Sequence, residues 1–471
     1  MLFDTPVYFA FLCIVVLLYW SLTHRRQNIL LLAASYAFYG WWDARFLTLI
    51  AVSTTVDYYC ARAIHDSDDA RRRRLLLAFS ITVNLTFLGV FKYFNFFADS
   101  LSAALQGLGF NDVPMVALRI LLPPGISFYT FQEIAYIVDV YHGRLKPSES
   151  LLDYALFISL FPHLVAGPIQ RPSHLLPQVH APRIFRPDAF FDGIVLILSG
   201  LFRKCVVADN CALIANAAFG GQLGPPSLAV ITLGTYAFAW QIYGDFSGYS
   251  DIARGSAQLL GFHFMVNFRQ PYLATSLKDF WRRWHVSLST WLRDYLYIPL
   301  GGSRDGELKT QRNLLATMLL GGLWHGANWT FVVWGALHGF ALSAGRALGI
   351  DDFDAKEKVS ALQVWAQRIV TFHLVCLTWV FFRAASIGEA LHFLSGLKTL
   401  AWRSEFLTAF SLLAFFTIPL FLIDLFLEHR REEYPLAVAL EPYRVAVAFG
   451  FLAAVTLLSA NQINAFIYFQ F

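Results

Sequence analysis

The sequence predicts an all-α polytopic membrane protein, and three observations carry that prediction. The chain of 471 residues is 57% hydrophobic, with a mean hydropathy of +0.52. Charged residues make up only 14% of it, against roughly 25% in an ordinary soluble domain. Its apolar residues fall in long runs, not in the short alternating segments of a membrane β-barrel. The net charge of +4 is small, and Arg and Lys cluster beside the apolar runs. That is the pattern of the positive-inside rule, and it gives no support to nucleic-acid binding.

A spanning helix needs about 20 apolar residues. Candidate runs, several of them short, cover residues 7–22, 28–42, 46–61, 75–97, 117–141, 151–167, 190–207, 227–243, 314–348, 364–382, 407–427 and 444–459. The run 314–348 is long enough for two helices, so roughly 10–12 spans are expected, some of them partial. The first run has Asp4 before it and Arg25-Arg26 after it. It reads as an uncleaved first span with the N-terminus outside, not as a signal peptide. Arg25-Arg26, the arginines at 71–74, and Arg144 with Lys146 then fall on the inner face through the first five spans. Arg203-Lys204 and Arg430-Arg431 also suit that face, and the last span carries the C-terminus outward. The five cysteines form no C-x-x-C pair; four lie in apolar runs and read as buried, inert thiols. No linker, low-complexity segment or repeat divides the chain, so residues 1–471 read as a single membrane-embedded domain.

The stretch 276–297 differs from the spans. Ser276 with Asp279 three residues on resembles the capping box that starts a helix. Trp281, Trp284, Leu288, Trp291 and Tyr295 recur at spacings of three and four and form one apolar face. Arg282, Arg283, Arg293 and Asp294 lie off that face, and Pro299, Gly301 and Gly302 end the pattern. One amphipathic helix at the membrane interface is expected here. Arg269, Lys278, Arg304, Lys309 and Arg312 add positive charge around it and suggest the cytoplasmic side.

His325 falls in Gly321-Gly322-Leu323-Trp324-His325-Gly326, inside the overlong run. The glycines predict a break in the helix at that point. Irregular backbone at membrane depth is tolerated only where it is buried in protein or lines a cavity, so His325 is expected to face an interior space. Burial favours the neutral imidazole that a general base requires. The alternative is a structural histidine that satisfies a carbonyl freed by the break. Asn328 either shares a face with His325 and donates to a developing oxyanion, or caps the helix that follows. His285 is a second candidate, or an interfacial histidine bound to a headgroup or carbonyl. Arg282 and Arg283 either grip the phosphates of a cytosolic cofactor or anchor the helix on anionic lipid.

Gln132, Glu133, Gln241, Asp245 and Asp251 interrupt apolar runs and read as packing or cavity-lining residues. Asp251 and Arg254 are spaced to pair. The chain has no H-E-x-x-H, no G-x-x-x-x-G-K-[ST] and no G-x-S-x-G. Metal hydrolysis, ATP hydrolysis and a serine nucleophile elbow therefore have no support, and no metal ligands are assigned.

Several long stretches resemble the membrane-bound O-acyltransferase (MBOAT) family. These are Leu122-Pro123-Pro124-Gly125-Ile126-Ser127-Phe128-Tyr129-Thr130-Phe131-Gln132, Phe161-Pro162-His163-Leu164-Val165-Ala166-Gly167-Pro168-Ile169, residues 245–251, 280–302 and 324–334, and the terminal Phe466-Ile467-Tyr468-Phe469-Gln470-Phe471. The likeness is to the bacterial branch that acts on envelope polymers, including the alginate O-acetylation and teichoic-acid D-alanylation proteins. It implies a ring of roughly 10–12 tilted spanning helices, with interfacial and broken helices and a thinned centre. A tunnel would then link a cytosolic donor to an acceptor on the far side. An acyl-CoA is large and highly charged, whereas an acetyl group is small and neutral. A tunnel that passes only the acyl group exports it without its carrier.

By this resemblance His325 matches the family's catalytic histidine and His285 the second histidine of the preceding motif. Arg282, Arg283 and Trp284 become the expected contacts of acetyl-CoA, a substrate and not a resident cofactor. Phe466, Tyr468 and Phe471 resemble a terminal acyl-relay motif at 466–471. In that reading Tyr468 attacks the thioester, His325 takes its proton, and an extracytoplasmic SGNH-type partner collects the acetyl group. The alternative for this end is an aromatic anchor at the membrane interface. The expected function is transfer of acetyl from cytosolic acetyl-CoA across the bacterial inner membrane to an exported polysaccharide, with alginate as one candidate. D-alanyl transfer from a carrier protein to teichoic acid is the second reading. A lipid or glycan transporter is the third, since broken helices with polar residues mark transporter sites as well.

Overall fold

The computed structural model describes residues 1–110, 119–165, 167–350, 360–434, 441–460 and 466–467. The regular structure among them is entirely helical. It forms two compact units, Met1–Phe190 with Ser256–Met265, and Phe191–Gly255 with Val266–Phe471.

The first unit contains α1 (Pro6–Trp20), α2 (His24–Asp43), α3 (Leu47–His65), α4 (Ala70–Leu88), α5 (Phe94–Gly107), α6 (Ile126–Tyr141), α7 (Leu151–Ser159), α8 (Phe161–Leu164) and α9 (Pro172–His180). Thr5 caps α1 by accepting from the Tyr8 amide, and Pro6 supplies a preset φ at the first position. A π-helical segment at Gly89–Tyr93 joins α4 to α5, giving one helical stretch of 38 residues. Gly125 starts α6 at φ 75, where a Cβ would also strike the Leu164 carbonyl. The core of this unit is polar as well as aromatic. Glu133 on α6 accepts from Ser53 (2.8 Å) and Thr54 (3.2 Å) on α3, while Asp57 accepts from Asn84 (2.9 Å) and Ser80 on α4. Gln132 meets His163 at 3.1 Å. These contacts fit the packing role expected of Gln132 and Glu133.

The second unit contains α10 (Pro187–Leu201), α11 (Asp209–Phe219), α12 (Leu228–Leu259), α13 (Leu277–Arg283), α14 (Val286–Leu292), α15 (Glu307–His325), α16 (Trp329–Ala347), α17 (Ala361–Arg383), α18 (Ile387–Ser395), α19 (Ser404–Arg430) and α20 (Glu441–Leu458). Glycines set its closest helix contacts. A Cβ on Gly200 of α10 would lie 2.6 Å from the Gly248 carbonyl of α12, and the converse distance is also 2.6 Å. The two backbones touch because neither carries a side chain there. Gly322 and Gly335 do the same for the hairpin of α15 and α16, where a Cβ on either would collide with the facing carbonyl of Phe331 or Met318.

Among the described residues, three helical stretches are long and apolar enough to cross a membrane: α4 through α5, α17 and α19. α1 and residues 442–458 are shorter apolar helices. Two sequence expectations need correction. Gly321 and Gly322 do not break the helix; it runs on to His325, and the gap falls at Gly326-Ala327-Asn328. Those glycines serve helix packing instead. The stretch 276–297 is not one helix either. It breaks between α13 and α14 at Trp284-His285, and a π-helical segment follows at Arg293–Tyr297.

Candidate active site

The first break holds His285. This residue adopts φ 45 and ψ 53, a left-handed conformation unfavourable for a residue with a Cβ, at the N-cap of α14. Neighbouring backbone bonds hold it there. The Val286 amide donates to the Asn267 carbonyl at 2.9 Å, and the Arg269 amide donates to the Arg283 carbonyl at 2.9 Å. Asn267 Oδ1 accepts from the Ser287 amide (3.3 Å) and Ser287 Oγ (2.9 Å), and lies 3.1 Å from His285 Nδ1. An amide N–H can only donate, so the atom facing it is the Asn267 oxygen and not its nitrogen. His285 Nδ1 therefore carries the proton and Nε2 carries the basic lone pair. Burial pushes the His285 pKa down to about 3, which keeps the ring neutral.

The second break holds His325 as the last residue of α15. Aromatic rings surround it: Trp334 at 5.0 Å, Trp324 at 5.1 Å and Phe382 at 5.4 Å between centroids, all near edge-on. Both histidines are buried. Their ring centroids stand 6.3 Å apart with planes at 61°. Ring nitrogens at that spacing lie beyond direct hydrogen-bond reach, which ends near about 3.2 Å. The two imidazoles are instead neighbours in one buried aromatic cluster that also holds Trp324, which contacts both.

Asn328 lies across the gap from His325 and does not continue its helix. Its Oδ1 caps α16 by accepting from the Thr330 amide at 3.0 Å, and its Nδ2 donates to the Ala385 carbonyl at 3.0 Å. The capping alternative is thus the arrangement seen. Trp284 is fully buried, stacked on Phe280 at 5.5 Å and 17° and packed against Phe268 and Trp379. Arg283 spends its guanidinium on neighbours. It makes a two-pronged pair with Glu428 of α19 (2.8 and 3.0 Å), and its Nε reaches Asp279 at 2.9 Å. Arg282 is exposed.

Sequence reasoning overlooked His338. It is fully buried on α16, 4.7 Å from Trp334, the same ring that contacts His325. Trp281 Nε1 donates to His338 Nδ1 at 3.3 Å, and His338 Nε2 lies 2.9 Å from Thr378 Oγ1. Thr378 already donates its hydroxyl proton to the Val375 carbonyl at 2.8 Å. The His338 proton therefore sits on Nε2, and the chain of bonds ties α13 to α16 and α17. A histidine thirteen residues past His325 has no motif spacing, so only its place in an apolar run could have drawn notice.

Arg203 and Lys204 were expected to orient the chain at its inner face. Both are buried in ion pairs. Lys204 lies 2.8 Å from both Asp209 and Asp245, and Arg203 pairs with Asp251 at 3.4 Å and Asp424 at 3.5 Å. Asp251 and Arg254 pair at 3.6 Å as their spacing predicts. The chain end also reaches this region. Phe466 is buried and stacks on Tyr249 at 4.2 Å, 5.8 Å from Phe246, whose ring stands edge-on to His285 at 4.6 Å. Tyr468 and Phe471 lie outside the described residues.

Comparison with known proteins identifies the family. The profile of the MBOAT family, membrane-bound O-acyltransferases, matches residues 147–349, which include both histidine breaks. The chain is 40% identical over its full length, and over the full length of the relative, to the probable alginate O-acetylase AlgI of Pseudomonas putida. It is 37% identical to the peptidoglycan O-acetyltransferase of Helicobacter pylori, covering 84% of this chain and 80% of that protein. It is 27% identical to the teichoic acid D-alanyltransferase of Streptococcus thermophilus, covering 55% and 67%. With that full-length match, and with both buried histidines inside the region that the profile covers, the chain belongs to the membrane-bound O-acyltransferase family.

Proposed function

We propose that this protein O-acetylates an exported cell-envelope polysaccharide, taking acetyl from cytosolic acetyl-CoA across the bacterial inner membrane, which it crosses several times. The facing of His285 and His325 across 6.3 Å carries the reading. His325 removes the proton of the acceptor hydroxyl as its oxygen attacks the thioester carbonyl. The carbon–sulfur bond then breaks, and the CoA thiolate leaves with the proton that His325 collected. His285, its Nδ1–H committed to Asn267, keeps its lone pair on Nε2. The surrounding tryptophans and phenylalanines keep water from the thioester.

Arg282 is the residue proposed to meet the CoA phosphates, and its exposure supports that reading. Arg283 acts beside it as a strut to α19. Polysaccharide as acceptor is supported by the names of the relatives at 40% and 37% identity. The D-alanyl reading draws on a relative at 27%. Assays with free acetyl-CoA and with a loaded carrier protein separate the two donors.

The acceptor of the first transfer is the chain's own Tyr468, from which an extracytoplasmic SGNH-type enzyme collects acetyl for the polymer. Burial of Phe466 two residues earlier, one ring away from His285, supports this placement. Tyr468→Phe should abolish polymer acetylation while the protein stays in the membrane. Normal acetylation by that variant would remove the relay.

A further inference from the structure

The end of the chain is held by a buried charge cluster that the histidine chemistry does not use. After α20 the chain returns to the π-helical segment Phe202–Ala208. The Ala460 amide donates to the Cys205 carbonyl at 3.2 Å, and Asn210 Nδ2 donates to the Leu458 carbonyl at 3.0 Å. Lys204 in the same segment is buried between two carboxylates, with Asp209 Oδ1 and Asp245 Oδ1 both at 2.8 Å. One ammonium against two carboxylates leaves an excess negative charge, costly in a buried site unless further donors reach it. One donor is the main chain of the terminal segment, as the Ile467 amide donates to Asp245 Oδ2 at 2.7 Å.

The helix that presents Asp245 also presents the rings beside it. Phe246 stands against His285, and Tyr249, one turn past Asp245, stacks on Phe466 at 28°. Gly244 and Gly248 let this stretch of α12 lie against the backbone of 200–204. A Cβ on Gly244 would fall 2.7 Å from the Arg203 carbonyl. Lys204 therefore reaches Asp245 only because the two helices touch.

We propose that Asp245, charged and oriented by Lys204, is a positioning residue that seats the C-terminal segment beside His285 by gripping the Ile467 amide. The proposal rests on the reading of Tyr468 as acyl acceptor, since the seat fixes where the residue after Ile467 begins. A charge-assisted bond to a backbone amide sets position without regard to side chain. The stacked Phe466 ring supplies the apolar half of the grip.

The test uses the purified full-length protein with acetyl-CoA, comparing wild type, Asp245→Asn and Ile467→Pro. Ile467→Pro removes the donating N–H and leaves Lys204, Asp209 and Asp245 intact, so its effect does not pass through the fold of the helix pair. Two quantities are read by mass spectrometry: release of C-terminal residues by carboxypeptidase, and acetyl on Tyr468. Release of residues 469–471 should be at least about tenfold faster in both variants, with acetyl on Tyr468 falling by a similar factor. Equal release in all three proteins would overturn the seat, whether or not Tyr468 carries acetyl. Equal release in Ile467→Pro alone would assign Asp245 to neutralising Lys204 and overturn the seat as well. Faster release in both variants, with no acetyl on wild-type Tyr468, would uphold the seat and defeat the acceptor reading.

Discussion

His285 and His325 both sit where a helix breaks, yet they are held in different ways. His285 is pinned by directed bonds: a left-handed backbone, the Asn267 amide oxygen, and backbone pairing of 267–269 with 283–286. His325 stands at the end of a regular helix, and the contacts around its ring are aromatic edges and faces. The difference teaches how the two could divide the work. A hydrogen-bonded imidazole of fixed tautomer is an orienting or accepting group whose state does not change. An imidazole at the end of a regular helix, ringed by aromatic edges, suits the group that takes and returns the proton.

The comparison can be broken by combining changes. If the two rings act on one substrate, their losses should not add. His325→Ala should lower acetyl transfer by about 1,000-fold, and His285→Ala on that background should cost little more, as for groups that act as a unit. A double variant that loses the product of the single losses would separate the two sites. The next effect in size concerns the tautomer of His285. Asn267→Leu removes the acceptor that holds Nδ1–H, and activity should fall by about 10- to 100-fold. Unchanged activity would show that the ring needs no such partner.

Packing around His325 comes third. Trp334→Leu strips a ring shared by His325 and His338. It should cost roughly tenfold in rate together with about 3 kcal/mol of stability, checked by thermal melting in detergent. The smallest effect is assigned to Arg283. Its pairs with Glu428 and Asp279 are partly exposed, so Arg283→Gln should lower stability by about 1 kcal/mol. The Michaelis constant for acetyl-CoA should stay within about threefold. A much larger rise would return Arg283 to the donor site.

Much of this was legible from the chain. Hydropathy gave the helical class, and the glycine-rich stretch before His325 located one break to within a few residues. The misplacements have physical causes. Gly321 and Gly322 look like helix breakers in sequence, but a glycine inside a helix also serves close approach, and only the facing carbonyl distinguishes the two. The periodic Trp face of 276–297 hides the turn at His285, because apolar spacing survives a short break when both halves bury the same side. Arg203 and Lys204 resemble flanking charges along the chain, and their partners Asp245, Asp251 and Asp424 lie 41 to 221 residues away. His338 and Asn267 gain their roles only from tertiary contacts that no spacing announces.

The central claim is thioester chemistry at His325, and release of free thiol from acetyl-CoA tests it most directly. Purified wild-type protein, supplied with its polymer-side acceptor system, should liberate CoA at a rate that His325→Ala lowers by about 1,000-fold. The variant should remain folded and membrane-inserted. A folded His325→Ala protein that releases CoA at the wild-type rate would contradict the account.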